Sequence, residues 1–307
     1  MMPVVLRTED GVRLDGFHLP AATDATDLAI VLAHGFSGTW RGTAQMRIAA
    51  LLAGDAGVVG FDFRGHGRSD GHSTVGDREI LDVQAAVAEA HALGYRRVAT
   101  LGFSMGAAVV LRHAGLIGGV AAVAAVSGPG RWYYRGTPSM RQLHWVVEQP
   151  LGRLFSRLAL GTRIGSQRWG DVERLPADLV SPQPDAQPDP TPDAQPEPPS
   201  GGRIEPPVGQ EAGAAPAAPS DAPPGDVPVP PAAAAARISP IPLLVVHGDQ
   251  DRFFPVSHAH MIYDAAAQPK ELWIETGYGH AESAASPELI TRIAGWIRRS
   301  VTDRDDG

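Results

Sequence analysis

The chain has no cysteine among its 307 residues, so no disulfide framework holds it together. It also lacks any run of about 18 uncharged apolar residues, the length a membrane-spanning helix requires. Residues 1–19 carry Arg7, Glu9, Asp10, Arg13 and Asp15 among alternating apolar positions, and Asp10-Gly11 suits a hairpin turn. That pattern reads as two opening strands and not as a signal peptide, which predicts a cytoplasmic location. Nothing resembles a metal-ligand cluster, a phosphate-cradling glycine loop or a dinucleotide fingerprint. No cofactor, no metal and no nucleic-acid partner are therefore expected, and the sequence fixes no oligomeric state.

The chain also lacks net charge over most of its length. Residues 177–236 hold nine acidic residues and one arginine, which equals the whole-chain balance of −8, so the remainder sums to zero. This stretch contains well over half of the 28 prolines and a near-repeat, Pro184-Asp185-Ala186-Gln187-Pro188 and Pro192-Asp193-Ala194-Gln195-Pro196. Such composition favours extended, solvated backbone and buries no core, so 177–237 is expected to be a disordered Pro/Ala-rich acidic insert. A ligand for a proline-recognising module is the alternative reading. The expected organisation is a core from 1–128, a small helical cap from 129–176, the insert, and a second core portion from 238–307.

What the sequence does contain is a set of small-residue turns at the ends of apolar strands. In Ala99-Thr100-Leu101-Gly102-Phe103-Ser104-Met105-Gly106 an apolar run feeds a Gly-x-Ser-x-Gly turn that opens into helix formers. Strand, sharp turn and helix together make the nucleophile elbow of a serine hydrolase, with Ser104 lifted out of the sheet. A serine hydroxyl needs a histidine to take its proton and an acid to orient that histidine. Downstream, strand 241–246 runs into His247-Gly248-Asp249-Gln250-Asp251, and strand 271–275 leads to Gly277-Tyr278-Gly279-His280. Both sets of groups follow strand ends, where open α/β sheets place their sites. Of the eleven histidines most have structural readings, with His258 and His260 within a predicted helix over 256–267 and His91, His113 and His144 on helix faces, and His280 has the position a base requires.

The order Ser104, Asp251, His280, together with His34-Gly35-Phe36 and Asp62-Phe63-Arg64-Gly65-His66-Gly67, resembles the α/β-hydrolase superfamily. The resemblance implies a mostly parallel eight-stranded sheet flanked by helices. It implies Asp251 as the acid, with Asp249 as runner-up in a turn or helix cap. It implies an oxyanion hole from the backbone amides of Phe36 and Met105, His34 as a brace of that turn, and the 62–69 loop as support, with Asp62 and Arg64 close enough in sequence to pair.

In the cap region, Thr137-Pro138 starts a predicted helix through Glu148, and Leu151 to Leu160 a second, closed by Gly161. Trp132, Tyr133 and Trp145 are candidates for the substrate pocket; they and Tyr134 and Phe155 either wall it or pack the cap onto the core. Eight arginines there either form solvated faces, favour an anionic substrate or hold the acidic insert. The expected activity is hydrolysis of a carboxylic ester, thioester or lactone, with a small-molecule ester as partner. C–C hydrolysis, acyl transfer, perhydrolysis and a non-catalytic binding role are the alternatives.

Overall fold

The computed structural model describes residues 1–22, 27–165 and 228–302. Strands β1 (Met2–Arg7), β2 (Arg13–Leu19), β3 (Leu28–Ala33), β4 (Gly57–Phe61), β5 (Arg97–Phe103), β6 (Ala122–Val126), β7 (Leu243–Gly248) and β8 (Lys270–Glu275) form one sheet. Their spatial order is β1-β2-β4-β3-β5-β6-β7-β8. The β1/β2 and β2/β4 pairs are antiparallel, and every pair from β4 to β8 is parallel.

Strands β3, β4, β6 and β7 are buried along their whole length, which is why they read as unbroken apolar runs: a parallel sheet is covered on both faces. On one face α1 (Thr43–Leu52) and α9 (Pro287–Thr302) pack over Phe17, Leu32, Leu101 and Val246. On the other, α2 (Ile80–Ala92), α3 (Met105–Leu116) and α7 (Ser257–Ala265) pack over Val31, Val59, Val123 and Val245. Among the described residues no helix is long and apolar enough to cross a membrane.

The cap comprises α4 (Pro138–Glu148) and α5 (Pro150–Ala159). Thr137 caps α4 by accepting from Met140 N–H at 3.2 Å, and Pro138 occupies the first turn, where a missing N–H costs nothing. Thr137 Oγ1 also donates to the Phe253 carbonyl at 2.9 Å, tying the cap to the loop after β7. Helix α5 buries Gly152 and Ser156 while Leu151, Leu154 and Leu158 stay exposed, so its apolar side faces outward.

Two expectations are corrected. Residues 228–237 are not part of a solvated insert: Pro231–Ala235 form a short helix, α6, whose Pro231, Ala232, Ala234 and Ala235 are buried. A β-carbon on Gly115 would run into the Ala234 carbonyl, so glycine lets α6 lie directly on α3. The remaining insert, 177–227, and the end of the cap, 166–176, lie outside the described residues. Asp62 and Arg64 do not pair. Arg64 bonds Asp82 at 2.8 Å and Asp10 at 2.7 Å, and its guanidinium draws the Asp10 carboxyl down to about 2. Asp62 instead accepts from Thr39 Oγ1 at 2.7 Å, Trp40 N–H at 2.8 Å and Arg68 N–H at 3.1 Å.

Candidate active site

Chain direction brings the site together: β3, β5, β7 and β8 are parallel, so the turns after their C-terminal ends meet at one edge of the sheet. After β5, Ser104 adopts φ 52°, ψ −114°, a conformation rare for a residue with a side chain. Two glycines make the bend possible. A β-carbon on Gly102 would strike the Gly106 carbonyl, and one on Gly106 would strike the Ala33 carbonyl of β3. The Ser104 N–H is held by the Val126 carbonyl of β6 at 2.9 Å.

Ser104 Oγ lies 2.9 Å from His280 Nε2, and His280 Nδ1 lies 2.7 Å from Asp251 Oδ2. The Asp251 side chain is fully buried, and its other oxygen accepts from the Phe253 and Phe254 amides at 2.8 and 3.1 Å. With the acid accepting at Nδ1–H, Nε2 carries the lone pair that faces the serine hydroxyl. Asp249 points elsewhere, accepting from Gly277 N–H at 2.8 Å in the turn after β8. The phenyl ring of Phe253 lies 4.4 Å from the His280 ring, centre to centre, which limits how the imidazole can swing.

The His280 segment is pinned on both sides. Ala281 has φ 55° and donates its N–H to Ser127 Oγ at 3.2 Å, and Tyr278 donates its hydroxyl to the Ala281 carbonyl at 2.8 Å. Burial pushes the Tyr278 phenol above its ordinary value, so it remains a donor.

The turn after β3 is held by His34. Its Nε2 accepts from Phe63 N–H at 3.1 Å, which leaves Nδ1–H to donate to the Gly35 carbonyl at 2.7 Å. Burial keeps His34 below the ordinary histidine range and thus neutral, as this arrangement requires. Behind it His66, pushed down to about 3 by burial, donates Nδ1–H to the Arg64 carbonyl at 3.0 Å. Among the described residues, neither Phe36 N–H nor Met105 N–H has a protein acceptor; the latter is one of the free amides at the start of a helix.

These groups open into a cavity of about 480 Å³ with a mostly apolar cap side and a mixed sheet edge. From the cap and the β7 loop come Met140, Leu143, Val146, Phe155, Leu160 and Phe254, with Ser139 and Gln142 among them; from the sheet edge come Phe36, Ser37, Ala281, Glu282 and Ser283 around Ser104 and His280. Three expected pocket residues are absent from it. Trp132 and Tyr133 border a separate small cavity with Thr74 and Pro228, and the Trp132 indole donates to the Pro228 carbonyl at 3.0 Å, anchoring the chain where it rejoins the core. Trp145 is half exposed on the outer side of α4. Among the described residues no arginine lines the cavity: Arg141 and Arg153 bond backbone carbonyls of the cap, and Arg135 pairs with Glu148 at 2.5 Å. Glu282 is the functional candidate the sequence did not single out. It accepts from Gly35 N–H at 2.6 Å and Gln45 Nε2 at 2.9 Å.

Comparison with known proteins adds four findings. A monoacylglycerol lipase of Mycolicibacterium smegmatis is 30% identical over 285 residues, covering 87% of this chain and 87% of that protein. The structure of the Pyrococcus furiosus esterase Pf2001 superposes with a TM-score of 0.63 at 20% identity, covering 97% of this chain and 92% of the other. That of Est1E from Butyrivibrio proteoclasticus with ferulic acid bound does so with a TM-score of 0.59 at 16% identity, covering 97% and 99%. The profile of the Alpha/beta hydrolase family matches residues 30–291, far more than half of the chain, and with this match and this fold the chain belongs to that family.

Proposed function

We propose that the protein is a serine hydrolase of carboxylic esters whose acyl group is apolar and whose substrate is uncharged. The observation that carries this reading is the unbroken relay from Ser104 Oγ through His280 to buried Asp251, at 2.9 and 2.7 Å, opening into a cavity whose cap side is mostly apolar. His280 Nε2 takes the hydroxyl proton as Oγ attacks the acyl carbon, and Asp251 steadies the imidazolium. The free amides of Phe36 and Met105 receive the developing oxyanion. The tetrahedral intermediate then expels the alcohol, which leaves with the proton from His280. Water, deprotonated by His280, attacks the acyl-enzyme and releases the carboxylic acid, with Ser104 regaining its proton.

The mostly apolar cap side suits a fatty acyl chain, and Ser37, Glu282 and Ser283 of the sheet edge suit a hydroxylated leaving group. The M. smegmatis relative's name makes a monoacylglycerol the first natural ester to try. Among the described residues lining the cavity, Glu282 and His280 are the only acidic or basic side chains and no lysine or arginine is present, which disfavours an anionic substrate. The test is hydrolysis of p-nitrophenyl esters of increasing chain length and of a monoacylglycerol, by wild type and by Ser104→Ala. Turnover that rises with acyl length and vanishes in the variant is expected. Turnover retained by pure Ser104→Ala would overturn the reading.

A further inference from the structure

One ionisable side chain of the cavity has no part in the relay. Glu282 stands two residues after His280, in the first turn of a short helix, α8 (Ala281–Ala284); the Glu282 carbonyl and that of Ala285, just past the helix, accept from Arg47 at 3.3 and 2.7 Å. Its Oε1 reaches across to the turn after β3 and accepts from Gly35 N–H at 2.6 Å, a charge-assisted bond between residues 247 positions apart. Gln45, nearly buried, holds the same oxygen at 2.9 Å.

Gly35 is where the direction of the Phe36 amide is decided. A glycine swivels freely unless the peptides on both sides of it are fixed. The peptide after it is held through its carbonyl, which accepts from His34 Nδ1–H at 2.7 Å and Gly38 N–H at 3.0 Å. The C=O and N–H of a trans peptide point in opposite directions, so these bonds aim the Phe36 N–H away from His34. The peptide before Gly35 is held by Glu282. A β-carbon on Gly35 would sit 3.3 Å from both the Ser104 β-carbon and Glu282 Oε2, which shows how near the nucleophile this clamp lies.

We infer that Glu282 is a positioning residue for the oxyanion turn: by holding Gly35 N–H it sets the Phe36 amide against the oxygen that becomes charged when Ser104 attacks. One short segment thereby fixes both the base, through His280, and the turn, through Glu282. This role rests on the serine-hydrolase reading of the same site.

The test compares wild type with Glu282→Gln, Glu282→Asp and Glu282→Ala, measuring ester hydrolysis, thermal unfolding and inhibition by an alkyl trifluoromethyl ketone. Ser104 Oγ adds to that ketone's carbonyl carbon, its proton passes to His280, and the resulting oxyanion occupies the position of the reaction's own. Glu282→Gln keeps an acceptor for Gly35 and is expected to stay within about threefold of wild type. Glu282→Asp withdraws the carboxylate by one methylene and Glu282→Ala removes it. Each is expected to lower kcat by on the order of 10- to 100-fold with little change in KM, and to weaken the ketone by the same factor. Wild-type kcat in the Asp and Ala variants, or a lower kcat with unchanged ketone affinity, would overturn the role. Should Glu282→Ala fail to fold, the Asp variant carries the same comparison. A wild-type protein that hydrolyses no ester would overturn the parent reading, and this role with it.

Discussion

The backbone at Ser104 is held in a conformation that costs on the order of 1–3 kcal/mol, and it persists because its neighbours leave no room for another. Gly102 and Gly106 are the means. A methyl group on Gly106 would meet a strand carbonyl that cannot move without disturbing the β3/β5 pairing. Gly106→Ala is therefore expected to lose at least about 1–3 kcal/mol of stability along with activity, measured by denaturant unfolding. A stable, active Gly106→Ala protein would contradict this account of the elbow. The same glycines are what made the elbow legible in the sequence, because their requirement is local. Glu282 was not legible: its partner lies 247 residues away, and no spacing within the sequence records that approach. Arg64 shows the same limit, since it finds Asp82 and Asp10 across tertiary contacts while Asp62, its near neighbour in sequence, serves the Thr39–Trp40 turn.

At the scale of elements, the cap supplies much of the apolar lining of the cavity. Helix α4 follows the expectation from Thr137-Pro138 because a cap and a first-turn proline are chemical signals. Which aromatics face the cavity depends on how the two cap helices roll against each other, and composition does not encode that. Phe155 and Leu160 enter the cavity, whereas Trp132 braces the 228–229 segment and Trp145 faces solvent. Phe155→Ala is accordingly expected to change kcat/KM for long-chain esters by on the order of 10-fold relative to short ones, with Trp145→Ala close to wild type. A chain-length profile that responds to Trp145 and not to Phe155 would contradict this assignment. Helix α6 illustrates the opposite failure: Pro and Ala mark solvated chain in one context, yet here a proline starts a helix and alanines fit against Gly115.

Across the whole molecule, the turn motifs at the ends of apolar strands carried the resemblance that implies a mostly parallel eight-stranded sheet, and the structure has that sheet with Ser104, Asp251 and His280 together at one end of it. The same buried architecture carries a liability in acid. His66 and His258 are pushed by burial down to about 3, and His113 to about 4, so all three are neutral in the native protein, with His258 Nδ1 accepting from Gly130 N–H at 3.0 Å. In the unfolded chain they take up protons near 6.5. The stability they contribute is complete above that pH and declines as the pH falls towards 3–4, by up to about 1.4 kcal/mol per pH unit for each group. Denaturant midpoints measured from pH 8 to 4 should therefore hold steady and then drop below about 6.5. Midpoints unchanged down to pH 4.5 would contradict it.

The most direct test of the central claim is to treat the full-length wild type and Ser104→Ala with a fluorophosphonate and locate the adduct by peptide mass mapping. The account predicts a single phosphonyl group on the Ser104 peptide of the wild type and none on the variant. A wild type that remains unlabelled, or a label that maps to another residue, would contradict it.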